Sequence, residues 1–342
     1  MIGPMLPCFI IAEIGVNHNG DPELAERLIE AAIRAGADAV KFQTWVTEKL
    51  VAPDAQMAEY QRLNTGGGTG KNQFDMLKEL ELSYEEFARL KGYADRQGIL
   101  FLSTPDEEDS ADFLATMNVS AFKIGSGEIT NTSFLQHVAK KGRPIILSTG
   151  MSTLGEIEIA VRAIEETGNH ELVLLHCVSS YPTLPSDCNI RAMDTLLMAF
   201  GYPVGFSDHT QGIEVAIAAV ARGACVIEKH FTLDKEMFGP DHAASLDPNE
   251  FAAMVRAVRN VEKALGDGVK RPVASELETK RVVQKSIVAS RRISSGELIT
   301  EKNTVLLRTS TGLPATCLPS VLGKTALRDI RQHEAIALEM VQ

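Results

Sequence analysis

Residues 225–230 read CVIEKH and residues 204–209 read VGFSDH, and each is a short apolar run that ends in polar side chains. Six more runs share this form: FIIAE (9–13), DAVKFQ (38–43), ILFLST (99–104), SAFKIGSGE (120–128), PIILST (144–149) and LVLLHC (172–177). Each run is too short and too rich in β-branched residues for a helix, and a helix-like stretch separates it from the next. Eight such rounds over about 250 residues are what a TIM barrel requires. The pattern predicts an α/β fold, a TIM (β/α)8 barrel, with its active site at the strand C-termini.

The predicted helices carry end signals that support this alternation. Asp21 with Pro22 opens the first helix and Gly36 closes it, while Ser83 and Glu86 form a capping box. At the other end of the barrel, Asp247-Pro248 opens the last helix, and Gly266 closes it. A flat, doubly wound sheet is the structural alternative, but it does not need eight consecutive rounds with polar tips.

The chain is too long for one barrel, because it has 342 residues. We predict a catalytic barrel over residues 1–266, a polar linker over 267–281 and a small, mostly β domain over 282–342. The last segment has short β-rich runs around the turn at 294–296 and no further strand-helix rounds. About 60 residues bury little surface alone, so we expect this domain to dock on the barrel or on a second subunit.

Charge, hydrophobicity and cysteine content argue against nucleic-acid-binding, membrane and disulfide-bonded proteins. The net charge of -11 argues against a nucleic-acid partner. No apolar run approaches the ~18 residues of a membrane span, and no signal peptide precedes the first strand, so we expect a cytoplasmic protein without a membrane partner. The five cysteines are odd in number and form no CxxC pair, which favours reduced, buried thiols.

The segment GGGTGKN, residues 66–72, resembles a phosphate-binding loop. Thr65 replaces its first glycine, and Asn72 replaces the hydroxyl residue that would bind magnesium. We interpret it instead as part of a long loop excursion from Trp45 to Leu82, which is a candidate active-site lid.

Polar residues at the strand ends are the candidates for chemistry. Lys41, Lys123 and the hydroxyls of Ser126, Ser148 and Ser207 would face one barrel mouth, which indicates a phosphorylated or carboxylated substrate. His209 and His230 end neighbouring strands, which lie ~4.8 Å apart, so both imidazoles could reach one metal ion. With carboxylates and no cysteine beside them, they favour Mn²⁺ or Mg²⁺.

Several motifs together resemble the sialic acid synthase family, the phosphoenolpyruvate-dependent synthases of N-acetylneuraminate and related nonulosonates. They are AEIGVNHNGD, KFQT, FLSTP, KIGSGEITN, ILSTGM, LLHCVSSYPT, GFSDHT, EKHFTLD and GPDHAASLDP, in this order along nearly the whole chain. The tail resembles that family's C-terminal antifreeze-like (SAF) domain. The resemblance implies condensation of phosphoenolpyruvate with the open-chain aldehyde of an N-acetylmannosamine-like sugar, with release of phosphate.

The resemblance also implies roles for individual residues. Those expected to bind phosphoenolpyruvate are Lys41, Thr104, Lys123, Ser126, Ser148 and Ser207. Those expected to contact the sugar are Gln43, Tyr181, Asp241 and Arg308, while Glu13 and Glu128 serve proton transfer and water placement. His209 and His230 would hold a divalent metal, Mn²⁺ first, with Mg²⁺ or Co²⁺ as alternatives. A domain-exchanged homodimer is implied, in which Arg308 reaches the partner's barrel.

Some features leave the acceptor sugar open. Ser179 stands where some N-acetylneuraminate synthases have Asn, and LLRTSTG replaces a common Arg-Pro-Gly around Arg308. The segments AEYQ and QFDMLKELEL also fit synthases of legionaminic acid, whose acceptor is a 2,4-diacetamido-2,4,6-trideoxy hexose. Two further alternatives are an aldolase-type barrel, which needs a second cationic phosphate pocket, and a carbohydrate- or ice-binding protein that acts through its SAF tail.

Overall fold

The computed structural model describes residues 2–3, 6–65 and 72–342. These form two compact units, residues 1–266 and 267–342. The phosphate-loop-like residues 66–71 lie outside the described residues. Within the described part of the chain, no helix is long and apolar enough to cross a membrane.

The first unit is built on eight parallel strands. They are β1 (Phe9–Gly15), β2 (Ala39–Thr44), β3 (Leu100–Pro105), β4 (Phe122–Ile124), β5 (Ile145–Ser148), β6 (Leu172–Cys177), β7 (Val204–Asp208) and β8 (Val226–His230). Hydrogen-bonded neighbours follow the order β3-β2-β1-β8-β7-β6-β5-β4. The two end strands of this order, β3 and β4, lie in contact, so the sheet curls into a nearly closed barrel. The predicted barrel is confirmed, and the flat doubly wound sheet is wrong.

Helices separate the strands along the chain. They are α1 (Pro22–Ala35), α2 (Thr47–Leu50), α3 (Glu59–Asn64), α4 (Gln73–Leu80), α5 (Tyr84–Gln97), α6 (Glu108–Thr116), α7 (Thr132–Ala139), α8 (Leu154–Glu165), α9 (Ala192–Phe200), α10 (Glu214–Ala221) and α11 (Pro248–Leu265). The predicted end signals are confirmed: the Asp21 side chain accepts from the Glu23 amide, Ser83 and Glu86 cap each other, and Gly266 ends α11. Helices α2 to α4 belong to the excursion after β2.

Side-chain alternation along the strands separates the barrel interior into an apolar floor and a polar mouth. Buried apolar side chains fill the floor, among them Ile11, Ala39, Leu102 and Val226. Successive side chains of a strand point to opposite faces, so the residues two positions later share the same interior face. Those residues are Glu13, Lys41, Thr104 and Glu228, all buried. The strands therefore bring polar and charged side chains together above an apolar core.

The second unit has its own small core. It contains α12 (Leu277–Val283), the antiparallel strands β9 (Lys285–Ala289) and β10 (Thr304–Arg308), and α13 (Leu318–Val321). The fully buried Ile287, Ile293, Ile299 and Ile330 pack together in this core. Residues 267–281, predicted as a linker, belong to this unit and include the start of α12. Arg308 ends β10 opposite Lys285 and is exposed.

Gly205 of β7 tests how tightly the barrel is packed. A Cβ placed there would lie 2.6 Å from Cδ2 of Leu175 and 2.6 Å from the carbonyl oxygen of Val226. We expect Gly205→Ala to lower the free energy of unfolding by about 1–3 kcal/mol, the usual cost of overpacking a core. The matched control is Gly155→Ala in α8, where a Cβ meets no atom within 4 Å. Equal melting temperatures for the two variants would contradict this packing.

Candidate active site

A cavity of about 510 Å³ opens at the C-terminal ends of the barrel strands. It brings together twelve of the fourteen residues that the sequence predicts for the site. They are Glu13, Lys41, Gln43, Thr104, Lys123, Ser126, Ser148, Tyr181, Ser207, His209, His230 and Asp241. These residues come from β1 to β8 and from the loops after them, and they meet in one site because the strands curl into a barrel.

Two buried lysines lie at the base of the cavity, each paired with a hydroxyl and a carboxylate. Lys41 Nζ donates to Thr104 Oγ1 at 3.0 Å and lies 2.7 Å from Glu13 Oε2. Burial alone would lower the pKa of Lys41, but Glu13 and Glu228 outweigh this effect, and the pKa ends above its ordinary value. Lys41 therefore stays a cation inside the barrel and can bind an anion.

Lys123 forms the second cationic group. Its Nζ donates to Ser148 Oγ at 2.7 Å and lies 3.6 Å from Glu228 Oε1. Burial lowers the pKa of Lys123, and the Glu228 carboxylate offsets this only in part. Both ammonium groups lost their hydrating water when the chain folded. The oxygen atoms of a bound phosphate or carboxylate would accept hydrogen bonds in place of that water, so the site favours these anions.

The carboxylates of the cavity differ in their protonation. Burial raises the pKa of Glu13 to about 7, although Lys41 acts in the opposite direction. Glu13 Oε1 accepts from Gln43 Nε2 at 3.0 Å. Burial alone would also raise the pKa of Glu228, but Lys123 and Lys41 reverse the shift, and the pKa ends below its ordinary value. Glu13 is thus suited to exchange a proton near neutral pH, and Glu228 to remain an anion.

Ser126 is held in place by the loop after β5. Its Oγ accepts from the Gly150 amide at 2.8 Å and lies 3.2 Å from Cys177 Sγ. A Cβ on Gly150 would lie 2.5 Å from Ser179 Oγ and 2.9 Å from Ser126 Oγ, so only glycine leaves room for this contact. The backbone of the loop thereby fixes a hydroxyl that faces the cavity.

The two histidines lie side by side, with ring centroids 5.5 Å apart. His209 Nδ1 is 2.6 Å from the carbonyl oxygen of Val178, which can only accept, so Nδ1 carries the proton and Nε2, 3.3 Å from Ser207 Oγ, carries the lone pair. His230 Nδ1 is buried without a hydrogen-bond partner and lies 3.7 Å from Asp241 Oδ2. Burial lowers the pKa of both imidazoles and keeps them neutral, the form that binds metals.

These observations fit a divalent metal bound through two imidazoles. An unpaired buried nitrogen on His230 is costly unless something binds it. Among the residues that the structure describes, no three His, Cys, Asp or Glu side chains are grouped to hold a metal alone. Water and substrate would therefore have to complete the coordination sphere.

The wall of the cavity above the histidines is aromatic and contains residues of the excursion. The Tyr181 ring lies 4.2 Å from His209 and 4.9 Å from the Tyr60 ring of α3, measured between centroids. Asn64 Nδ2 donates to the carbonyl oxygen of Pro240 at 2.6 Å, next to Asp241. Burial raises the pKa of Asp241 to about 6. This side of the cavity offers ring faces and hydrogen-bonding groups, the surfaces that suit a sugar.

Comparison with known proteins identifies the family. The NeuB family model matches residues 28–270 and the SAF domain model matches residues 284–342. The chain belongs to the NeuB family. An N,N'-diacetyllegionaminic acid synthase of Legionella pneumophila is 46% identical and covers 99% of this chain and 96% of its own length. The human N-acetylneuraminate-9-phosphate synthase is 37% identical over 99% of this chain and 94% of its own length.

A solved structure agrees with this membership in the NeuB family. The N-acetylneuraminic acid synthetase of Leptospira borgpetersenii superposes with a TM-score of 0.71 at 37% identity, covering 82% of this chain and 94% of that one. Because the NeuB model matches β2 to β8 and the synthases align along nearly the whole chain, the chain is an enzyme of this synthase family. The alternative of a protein that acts only by binding through its tail is not supported.

Two of the predicted site residues do not line the cavity in the barrel unit of this NeuB family member. The Glu128 carboxylate accepts from Asn131 Nδ2 at 2.8 Å, a local contact at the start of α7. Arg308 belongs to the second unit, and its role at a barrel stays a prediction.

Other lining residues were missing from the predicted site. Glu228 shares a strand face with His230, an i, i+2 signal that could have identified it. Asp106 follows the last residue of β3, where burial raises its pKa to about 7. Tyr60 and Gln61 come from the excursion, where the AEYQ motif resembled the legionaminic acid synthases but no strand-end pattern marked them as site residues.

Gly150 offers a test of the hydroxyl arrangement. We expect Gly150→Ala to displace Ser126 and to weaken the binding of phosphoenolpyruvate about ten-fold or more, as expected for losing a hydrogen bond to a charged ligand. Isothermal titration calorimetry would measure the dissociation constant. Gly155→Ala, in open space on α8, is the control. An unchanged dissociation constant for Gly150→Ala would show that Ser126 does not contribute to this site.

Proposed function

We propose that the chain condenses phosphoenolpyruvate with the open-chain aldehyde of an acetamido sugar and releases phosphate, forming a nonulosonic acid. The observation that carries this proposal is the pair of buried lysines beside a histidine pair in one cavity. An anion bound at the lysines would lie in the same cavity as the histidines that would hold a metal. Membership in the NeuB family supports the same chemistry.

The chain's own groups would bind phosphoenolpyruvate through complementary charge. Lys41 with Thr104 on β2 and β3, and Lys123 with Ser148 on the neighbouring strands β4 and β5, give two donor pairs at the cavity base. Ser126 and Ser207 add hydroxyls, and Ser207 Oγ donates to Glu228 Oε1 at 2.9 Å. Two cationic donor groups with four hydroxyls suit a substrate that carries both a phosphate and a carboxylate.

His209 and His230 would hold the divalent metal, Mn²⁺ first, with Mg²⁺ or Co²⁺ as alternatives. When bound, the metal supplies Lewis acidity to the aldehyde oxygen of the sugar. Tyr181, Asp241 and Gln43 line the same part of the cavity and would orient the sugar so that its aldehyde carbon meets C3 of phosphoenolpyruvate.

Carbon-carbon bond formation leaves positive charge at C2 of the former enol. Glu228 stays an anion beside the lysines that would bind phosphoenolpyruvate, so it would stabilise this positive charge. Glu13, with its pKa raised to about 7, would accept a proton from the water that attacks C2. The hydroxyl left on C2 then becomes the ketone carbonyl as the bond between C2 and the bridging oxygen breaks, and this oxygen leaves with phosphate, which takes the hydroxyl proton. Glu128 would take part only after turning from Asn131.

We infer a 2,4-diacetamido-2,4,6-trideoxy hexose as the acceptor, with N-acetylmannosamine as the alternative. Synthases of N,N'-diacetyllegionaminic acid are 46% and 44% identical to the chain, and the human N-acetylneuraminate-9-phosphate synthase is 37% identical. The cations among the described lining residues are Lys41 and Lys123, and phosphoenolpyruvate uses both. The barrel therefore offers no further described cation for a phosphorylated acceptor.

Product analysis tests the proposal. The enzyme is incubated with phosphoenolpyruvate, Mn²⁺ and, separately, 2,4-diacetamido-2,4,6-trideoxymannose, N-acetylmannosamine and its 6-phosphate, and mass spectrometry records the products. We expect the largest kcat/KM with the diacetamido sugar and the smallest with the phosphorylated one. Higher kcat/KM with N-acetylmannosamine would reverse the choice of acceptor, and no nonulosonic acid from any sugar would refute the function.

Removal of the metal or of one imidazole should stop the reaction. We expect exhaustive chelation to abolish turnover and added Mn²⁺ to restore it, because the unpaired His230 nitrogen and the Nε2 lone pair of His209 would bind the ion. His209→Ala should not recover at the Mn²⁺ concentration that restores the wild type. His137→Ala, on the surface helix α7, is the control for loss of an imidazole. Full activity of His209→Ala in chelator would eliminate the metal from the mechanism.

A further inference from the structure

Behind the two histidines lies an ion pair that is entirely buried. Asp208 ends β7 and Lys229 is the penultimate residue of β8, and both side chains have 0% exposure. Ser207 and Glu228 line the cavity, so their chain neighbours Asp208 and Lys229 point to the opposite face of the sheet. The pair therefore cannot contact a substrate in the cavity.

The contacts of this ion pair surround His209. Lys229 Nζ lies 2.8 Å from Asp208 Oδ2 and donates to the carbonyl oxygen of Thr210 at 2.5 Å. Asp208 Oδ1 accepts from the amide of Thr210 at 2.9 Å and from its hydroxyl at 2.8 Å. Lys229 directly precedes His230. Lys229, which adjoins His230, thus contacts both Asp208 and Thr210, the two residues that flank His209.

Stability alone does not explain the burial of these charges. Moving an ammonium and a carboxylate out of water is costly, and apolar side chains of similar volume often stabilise a core as well or better. A buried ion pair does fix geometry, because its partners tolerate little change in distance or direction. The His209 ring is fixed from the other side too, since its Nδ1 donates to Val178 and the Thr183 amide donates to its carbonyl oxygen.

We propose that Asp208 and Lys229 are positioning residues that set the separation of the His209 and His230 imidazoles for a divalent cation. The inference rests on the proposed metal site. The pair ties the C-terminal ends of β7 and β8 together across the ladder, and the rings on the opposite face of the sheet lie 5.5 Å apart as a result. Two ligands alone bind a metal weakly, so their spacing has a large effect on affinity.

The test is metal binding by a variant that loses the cross-strand ion pair but keeps the local cap. In Asp208→Asn/Lys229→Met, the asparagine oxygen still accepts from Thr210, and no unpaired charge is left in the core. Electron paramagnetic resonance of free Mn²⁺ gives the dissociation constant without turnover. We expect a dissociation constant at least ten-fold higher than that of the wild type and an altered visible spectrum of the Co²⁺ form.

Two further variants make the result specific. Arg259→Met removes a partly buried ion pair with Asp38 at the opposite end of the barrel, and it should leave the Mn²⁺ dissociation constant unchanged. Thr210→Val removes one hydroxyl contact to Asp208 with little change in shape, and it should weaken Mn²⁺ binding about three-fold. The Thr210 variant decides the question if the double variant does not fold.

The outcomes separate this inference from the metal site itself. A wild type that does not bind Mn²⁺ more tightly than His209→Ala overturns the metal site and the inference with it. A wild type that binds, with unchanged affinity and an unchanged Co²⁺ spectrum in the double variant, leaves the metal site intact and overturns the positioning role. If the double variant does not fold, unchanged affinity in Thr210→Val has the same meaning.

Discussion

The alternation of side chains along eight parallel strands is the constraint on which this molecule depends. In a closed barrel, one face of every strand points inward, so each inward residue must suit its height along the axis. Apolar residues such as Ile11 and Val226 fill the floor, and Glu13 and Glu228 follow two positions later at the mouth. One geometric rule thereby sets both the core and the site.

Charges at the mouth are buried, and this decides their chemistry. Lys41 and Glu13 are 3% and 2% exposed, so neither is screened by water as it would be on a surface. Desolvation pushes Glu13 toward the neutral form, while the lysines keep Glu228 ionised. Carboxylates of the same type thus acquire different roles, because both lysines and the Ser207 hydroxyl stabilise the Glu228 anion, whereas that anion itself disfavours a second charge on Glu13.

Both faces of β7 and β8 bear on the site. The inward face carries Ser207, Glu228 and the histidine at the end of β8, and the outward face carries the Asp208–Lys229 ion pair. Adjacent residues in the SDHT and EKH motifs therefore belong to different layers of the molecule. Within each motif, the inward-facing residues line the cavity, and the outward-facing residue forms the ion pair behind it.

The excursion after β2 supplies a wall that no strand provides. Val16, Trp45, Met76 and Leu80 form a small apolar cluster of their own, which packs α4 beside the cavity. Tyr60 of α3 contacts the Tyr181 ring. Substitutions in such a wall disturb the barrel little, because a loop tolerates changes that a strand does not.

By itself, the sequence determined the eight rounds, their helix caps and most strand-end residues of the site, because these follow from local periodicity and from chemistry at fixed spacings. Only the tertiary structure decided that Glu128 bonds to Asn131 and that Glu228 faces the lysines. It also decided that Asp106 and Tyr60 line the cavity and that Lys229 holds both neighbours of His209. These relations join residues far apart in the chain, and their strength depends on burial and distance, neither of which a linear pattern contains.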